Sequence, residues 1–291
     1  MVEGSQDEVL EPKSPGNGVE VRGGNSRIET SQVIDGFTTH RLLCRIFTGG
    51  RSDFVLKGGR SALARTIDAR ATRDVDLLYP KKGLDSAREN LVDLVSRDLD
   101  DFMSFEFAGS RPIKTDEDYR EGLSIRFIPY IGAKRMPTIV LDLVVDTIAV
   151  EDAEFVAPAD RIEIGDLPTC DYLVLPIEHA LADKMCALLE RHGDRASTRV
   201  KDLIDIVVYL DKCEVDRDEL RTRLRREAAV RRLELPRRFG APDAWGEDEE
   251  GRFRNLLRSS GAPGAIRTTR DAVEFAAEVY DPVLAALEKG E

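Results

Sequence analysis

Residues 54–78, FVLKGGRSALARTIDARATRDVDLL, decide the fold of this chain. They open with an apolar strand at residues 54–56, pass through Gly58 and Gly59 into a helix that resumes at residues 61–65, and end in an alternating strand at residues 75–78. Glycines that join a strand to a helix leave backbone N–H groups free to face an anion. The stretch therefore predicts a strand–turn–helix–strand unit with a phosphate-binding turn.

Two acidic residues, Asp74 and Asp76, lie two positions apart on the second of these strands. Side chains two apart on a strand project from the same face, with Cβ atoms roughly 6 to 7 Å apart. Two anions side by side are unfavourable unless a cation neutralises them, so the D-x-D pattern indicates a metal site. A solvated strand edge is the alternative, because the pattern is short and the chain is rich in Asp.

A third acidic residue, Asp142, stands inside the apolar sequence VLDLVVD of residues 140–146. An unpaired carboxylate within such a strand is costly. A position beside Asp74 and Asp76, with a shared cation, would explain why the strand tolerates it.

The composition describes an ordinary globular chain of 291 residues, with 42% hydrophobic and 34% charged residues and a formal net charge of −12. The length fits one large or two ordinary domains, and the acidic balance excludes a generally basic nucleic-acid-coating protein but not a local basic face. No run reaches the roughly 18 to 20 apolar residues of a membrane span, and the first residues are acidic and polar. We expect a cytoplasmic protein with no membrane partner.

Several common site classes are missing from the sequence. The four cysteines form no C-x-x-C pair, which argues for reduced thiols rather than zinc or a disulfide framework. No histidine lies near a Ser or Cys nucleophile motif, and neither a P-loop nor a G-x-G-x-x-G turn occurs. These absences argue against a serine or cysteine hydrolase and exclude the P-loop and Rossmann hypotheses.

The periodicity divides the chain into three parts: a loose tail at residues 1–26, an α+β domain with a mixed sheet at residues 27–155, and an all-helical domain at residues 156–291. The predicted helices are 31–48, 61–65, 84–102, 176–191, 198–211, 216–234, 247–259 and 268–289, and the predicted strands are 54–56, 75–78, 105–107, 123–131 and 138–146. Residues 111–120 are predicted as a hairpin or loop and residues 236–246 as a linker.

The order of glycine turn, helix, D-x-D strand and later strand Asp resembles the DNA polymerase β-like nucleotidyltransferase superfamily. More closely, the chain resembles the AbiEii-type, MenT-like nucleotidyltransferase toxins of abortive-infection toxin–antitoxin systems. The segments that carry this resemblance are FVLKGG (54–59), R-x-T-x-D-x-D (70–76), LPIE (175–178), A-x-K (182–184) and R-x-K-D-x-x-D (199–205). They span about residues 35–212 in the family's order. One departure is the turn, where Gly59-Arg60-Ser61 replaces the frequent Gly-Ser and leaves open which hydroxyl or amide meets a phosphate.

The resemblance implies an enzyme that transfers NMP from an NTP with Mg²⁺ or Mn²⁺. By the same resemblance, the metal ligands are Asp74, Asp76 and Asp142, with Asp142 also helping to activate the attacking hydroxyl, and Lys184 and Asp202 join them as catalytic-site residues. The expected nucleotide-binding residues are Lys57, Gly58, Gly59, Ser61, Arg70 and Arg73. The implied acceptor is RNA, above all a tRNA 3′ end, and the implied partner is a separately encoded antitoxin protein.

The helical half allows two interpretations of its charged residues. Lys184 falls on the apolar stripe of its helix, so it either snorkels to solvent or points its ammonium into a phosphate-containing cleft. Asp202 and Asp205 lie one turn apart, so they serve either as a cap and a surface ion pair or as site residues.

Residues 217–238 carry nine arginines against four acidic residues. This segment is either a solvated helix face or a landing surface for RNA phosphates, and Arg225, Arg226, Arg231 and Arg232 are its candidate contacts. Two other functions stay open: nucleotidyl transfer to a small molecule such as an aminoglycoside, and a catalytically idle binding module. The basic segment argues against the first, and the presence of all three acids argues against the second.

Overall fold

The computed structural model describes residues 30–50, 52–65, 74–81, 83–113, 121–146, 152–161, 163–192 and 195–289. The predicted tail at residues 1–26 and two predicted nucleotide-binding residues, Arg70 and Arg73, lie outside these ranges. None of the helices within them combines the length and the apolar character needed to cross a membrane.

Eight helices and ten strands make up the described structure. The helices are α1 (Thr30–Phe47), α2 (Gly58–Arg65), α3 (Leu84–Val95), α4 (Ile177–Leu189), α5 (Val200–Lys212), α6 (Arg217–Arg231), α7 (Glu247–Leu257) and α8 (Thr269–Lys289). The strands are β1 (Val55–Lys57), β2 (Val75–Tyr79), β3 (Met103–Pro112), β4 (Glu121–Ile131), β5 (Lys134–Arg135), β6 (Ile139–Val145), β7 (Glu154–Val156), β8 (Tyr172–Val174), β9 (Arg191–His192) and β10 (Arg195–Ala196).

The main sheet is mixed, as predicted, and runs in the order β3-β4-β6-β2-β1-β8-β7 with β5 attached to β4. Strand β2 pairs with β6 and β1 with β8 in parallel, while the other pairs are antiparallel. One face carries alternating apolar residues such as Leu77, Leu141 and Ile125, which pack with α1 and α3 into one core. Because side chains alternate along a strand, the residues between them face the other side of the sheet.

The helical half has its own core, in which apolar residues of α4 to α8 pack together. Ala62 and Leu63 of α2 belong to this second core. Helix α2 therefore joins the sheet to the helices, and it does so directly after the glycine turn.

The sheet extends past residue 155, where the change to helices was predicted. Strand β8 pairs with β1, and Tyr172 and Val174 belong to the core of the sheet. The apolar residues of the helical core that follow begin at Ile177. A three-residue strand between loops has too short a pattern to be separated from its surroundings in the sequence.

Three predicted elements have different bounds. The helix predicted over residues 84–102 ends at Val95. Residues 100–102 do not continue it, because Asp100 and Phe102 take positive φ values of 53° and 57° and Asp101 turns inward to pair with Arg41 and Arg45. The helix predicted from residue 61 begins at Gly58, directly at the end of β1. The first strand of the hairpin is ten residues long, where only residues 105–107 were predicted.

The predicted linker at residues 236–246 contains no helix or strand, but it packs against the helical core. The buried ring of Phe239 stacks on Tyr280 with centroids 4.7 Å apart. Nε1 of Trp245 donates a hydrogen bond of 2.6 Å to the carbonyl oxygen of Ser197. This segment therefore ties α6 and α7 to the rest of the helical half.

Candidate active site

The register of the sheet brings two of the predicted acids side by side. Parallel pairing of β2 with β6 places Asp76 opposite Asp142, and antiparallel pairing of β1 with β2 places Lys57 opposite Asp76. On the other side, Ser124 of β4 stands opposite Asp142. Paired residues share a face, so a single polar row crosses four strands on the side away from α1 and α3.

The carboxylates in this row are poorly compensated. Burial raises the pKa of Asp76, Lys57 lowers it in part, and the neighbouring carboxylates of Asp142 and Asp74 raise it further, so that it lies above the ordinary value. Buried atom Oδ1 of Asp142 has no hydrogen-bond partner within the ranges that the structure describes. A pair of close carboxylates with an orphaned oxygen is a site that a divalent cation fits.

The third predicted metal ligand, Asp74, is exposed and immediately precedes β2. Across the described ranges, no three His, Cys, Asp or Glu side chains stand close enough together to hold a metal ion. The structure therefore brings Asp76 and Asp142 together and leaves Asp74 directly before the first residue of β2. Three-carboxylate coordination stays a prediction.

The glycine turn packs directly against Asp76. Gly58 has φ +67°, a conformation that L side chains rarely adopt, and a Cβ at this position would lie 2.0 Å from Oδ2 of Asp76. Gly58 and Gly59 form the start of α2, where backbone N–H groups lack intrahelical acceptors. The hydroxyl of Ser61 donates to the carbonyl oxygen of Gly58 at 2.8 Å, so it stabilises the turn itself.

Lys184 lies in a buried ionic cluster between α4 and α5. Its Nζ donates to Oδ1 of Asp202 at 3.0 Å and to Oδ2 of Asp205 at 2.7 Å. Burial lowers the pKa of Lys184, but Tyr209, Asp205 and Asp202 outweigh burial and hold it well above its ordinary value. On the outer side of the cluster, Nε of Arg199 donates to Oδ2 of Asp202 at 2.5 Å.

This geometry corrects two interpretations made from the sequence. A snorkelling Lys184 would reach solvent, whereas the residue is only 7% exposed and bridges two carboxylates. Asp202 and Asp205 are 2% and 6% exposed, so they do not form a surface ion pair. Lys184 also lowers the pKa of Asp76, which places the cluster within electrostatic reach of the acid row.

The predicted RNA patch on α6 is smaller than its arginine count suggests. The side chain of Arg231 is 5% exposed and pairs with Asp183, Glu190 and Glu227. Its guanidinium is held by ion pairs within the fold, and its role as an RNA contact stays a prediction. The other three predicted contacts, Arg225, Arg226 and Arg232, are exposed.

The sheet with its acid row, the glycine turn against that row and the helices that follow define a polymerase β-like nucleotidyltransferase domain with a helical C-terminal part. A family model described as "Nucleotidyl transferase AbiEii toxin, Type IV TA system" matches residues 41–278. The chain belongs to this family of nucleotidyltransferase toxins from toxin–antitoxin systems, which confirms the resemblance found in its motifs.

Two solved structures illustrate the likeness. JHP933 from Helicobacter pylori is 15% identical, with a TM-score of 0.46 over 90% of this chain and 96% of that chain. MenT4, a nucleotidyltransferase toxin from Mycobacterium tuberculosis H37Rv, is 16% identical, with a TM-score of 0.47 over 88% of this chain and 93% of that chain. No curated protein matches the chain. Both TM-scores are below 0.5, so the assignment to the family depends on the family model that matches residues 41–278.

The contact between Gly58 and Asp76 leads to a first prediction. In the variant Gly58→Ala, the left-handed backbone costs about 1–2 kcal/mol and the new methyl group displaces the Asp76 carboxylate. We expect nucleotidyl transfer to fall about 100-fold, because a small misplacement of a reacting group has an effect of this size. The measurements are the initial rate of label transfer and the melting temperature.

Gly165→Ala is the matched control, because Gly165 has a similar φ of +52° and an added Cβ there would meet nothing within 4 Å. We expect Gly165→Ala to lower the melting temperature as much as Gly58→Ala does and to transfer label at the wild-type rate. Equal transfer rates in the two variants would show that the turn does not position Asp76.

Proposed function

We propose that this protein transfers a nucleoside monophosphate from an NTP to the 3′ end of a tRNA, and that this reaction inhibits growth until a separately encoded antitoxin opposes it. The observation that carries the proposal is the Asp76–Asp142 pair, in which a buried carboxylate oxygen has no hydrogen-bond partner among the residues that the structure describes. Two close carboxylates beside an amide-rich turn suit the transfer of a nucleotidyl group, in which charge neutralisation and positioning supply most of the catalysis.

A divalent cation, Mg²⁺ or Mn²⁺, fits the donors of this site. Asp76 and Asp142 would hold it, and Asp74, directly before β2, is the proposed third ligand. When bound, such a cation neutralises triphosphate charge and lowers the barrier to attack on the α-phosphorus.

The remaining roles belong to the chain's own groups. The first amides of α2, at Gly58 and Gly59, bind phosphate oxygens, and Lys57 adds a positive charge beside Asp76. Asp142, next in the row, accepts the proton of the attacking hydroxyl, whose oxygen bonds to the α-phosphorus while the bond to the β-phosphate breaks and pyrophosphate leaves. Lys184 commits two of its three N–H donors to Asp202 and Asp205, which leaves one donor for a phosphate oxygen.

The test is incubation of the protein with Mg²⁺, total cellular RNA and each NTP in turn, labelled at the α-phosphate or at the γ-phosphate. We expect the α-label, but not the γ-label, to enter RNA of tRNA size, and a chelator to stop the reaction. Transfer of the γ-label would indicate phosphoryl transfer instead. Label that enters an aminoglycoside and no RNA would replace the proposed acceptor with a small molecule.

A further inference from the structure

Next to the polar row, the same face of the sheet carries arginines on β3 and β4. On β4, residues 122–125 are all buried, and from Ile125 onward burial alternates, with Ile125 and Phe127 in the core and Arg126 exposed between them. Val140, opposite Arg126, is 43% exposed although it lies within a seven-residue strand at the centre of the domain. This part of the face is therefore open to solvent beside the acids.

The register places two arginines next to Asp142. Arg111 of β3 stands opposite Ser124, which stands opposite Asp142, so the polar row extends to the edge strand. Neighbouring strands lie about 4.8 Å apart, which puts the Cα of Arg111 roughly 10 Å from that of Asp142. Arg126 is the diagonal neighbour of Asp142, at about 7–8 Å between Cα atoms.

The positive charge continues along the hairpin. Arg135 of β5 pairs with Tyr130 and shares its face. Tyr130 donates a hydrogen bond of 3.0 Å to Oε2 of Glu106, an exposed acidic residue of β3. We call the surface formed by Arg111, Arg126, Val140 and Arg135 the hairpin face.

The arginines of the hairpin face differ from most other arginines near the sheet. Arg41, Arg45 and Arg60 are each buried and paired with a carboxylate. Within the described ranges, Arg111 and Arg126 form no salt bridge, and Nη2 of Arg126 donates a hydrogen bond of 3.3 Å to the carbonyl oxygen of Ala108. On a chain with a net charge of −12, two exposed arginines that lie beside the reacting groups and pair with no carboxylate of the described residues suit an anionic ligand.

We infer that the hairpin face binds the backbone phosphates of the RNA strand that enters the site, with Arg111 and Arg126 as the phosphate contacts nearest to the reacting 3′ hydroxyl. This inference rests on the proposed function, since it names the surface that the RNA acceptor uses. Arginine binds a phosphate through two parallel hydrogen bonds, and the exposed side chain of Val140 between the strands offers an apolar contact for a base. The hairpin face is continuous with the acid row through the register of β3, β4 and β6.

The first test uses the double variant Arg111→Gln/Arg126→Gln with deacylated total tRNA labelled at its 5′ end. We expect the dissociation constant for RNA to rise at least 10-fold and the salt slope of log K to become shallower by about 1.4, because each lost single-strand phosphate contact removes about 0.7. The KM for NTP and the melting temperature should not change. Arg252→Gln/Arg270→Gln is the matched control, since both side chains are exposed, at 56% and 85%, on α7 and α8.

The second test locates the RNA directly. A photocrosslinking residue, p-benzoylphenylalanine, replaces Val140 of the hairpin face or, in a parallel protein, Val230 of α6, which is 37% exposed. We expect labelled tRNA to crosslink at position 140 and not at position 230. Crosslinking at position 230 alone, with affinity lost only in Arg225→Gln/Arg226→Gln, would move the acceptor to α6 and overturn the inference.

The outcomes separate this inference from the proposed function. One outcome is that the wild-type protein transfers label to tRNA while the Arg111→Gln/Arg126→Gln variant binds RNA with the wild-type affinity and salt slope. In that case the hairpin face is not the RNA-binding surface, and the proposed nucleotidyl transfer to tRNA stands. If the wild-type protein neither binds nor labels RNA, the proposed acceptor is wrong, and the inference falls with it.

Discussion

The variant Asp76→Asn is expected to lose nucleotidyl transfer by at least about 1,000-fold, which corresponds to about 4 kcal/mol of transition-state stabilisation. Asparagine has the shape of aspartate, so the tight contact with Gly58 is preserved. The substitution removes one of two adjacent carboxylates at the site where a cation would bind. The melting temperature should stay the same or rise, because the buried repulsion between Asp76 and Asp142 is relieved.

The combination of lost activity and retained stability is the informative result. Asp142→Asn should behave in the same way, and Asp93→Asn, an exposed residue on α3, should change neither quantity. Transfer rates are compared at saturating Mg²⁺ and NTP, and thermal unfolding is followed without nucleotide. A transfer rate of Asp76→Asn within about tenfold of the wild type would contradict the assignment of this pair as the reaction centre.

The acids of the site were largely predictable because their patterns are local. The two-residue spacing of Asp74 and Asp76 follows from the period of a strand, and the apolar surroundings of Asp142 indicate that it needs a neighbour. Which residue stands opposite Asp142 was not predictable, because register is set by strand pairing between segments more than sixty residues apart. The same limit applies to Arg111 and Arg126, which belong to no motif in the sequence and become neighbours of Asp142 only through β4.

The charged residues of the helical half show a different limit. A lysine on an apolar stripe and two aspartates one turn apart were each given two interpretations, because a helix pattern shows which residues share a face but not what packs against it. Packing of α4 on α5 joins these residues into one buried cluster. The ion pairs of Arg231 show the same limit, since two of its three carboxylate partners are Asp183 on α4 and Glu190 directly after α4.

Lys184→Met is expected to be the most destabilising single change in the candidate site. Removal of the ammonium leaves Asp202 and Asp205 buried and facing each other, and breaking a buried pair in this way costs about 3–5 kcal/mol. For a protein of this size the loss corresponds to a fall of roughly 5 to 15 °C in melting temperature. Transfer per folded molecule should also fall, because Lys184 is proposed to donate to a phosphate oxygen.

The triple variant Lys184→Met/Asp202→Asn/Asp205→Asn separates the two effects. With all three charges removed, no buried charge remains unpaired in the cluster, and Arg199, whose side chain is 46% exposed, can turn to solvent. We expect most of the melting temperature to return while transfer stays lost, since the asparagines restore packing but supply no cation. If the triple variant recovers transfer together with stability, the cluster serves only the fold. If Lys184→Met itself melts like the wild type, the two aspartates do not need the lysine for compensation, and the stabilising role assigned to the ion pairs is wrong.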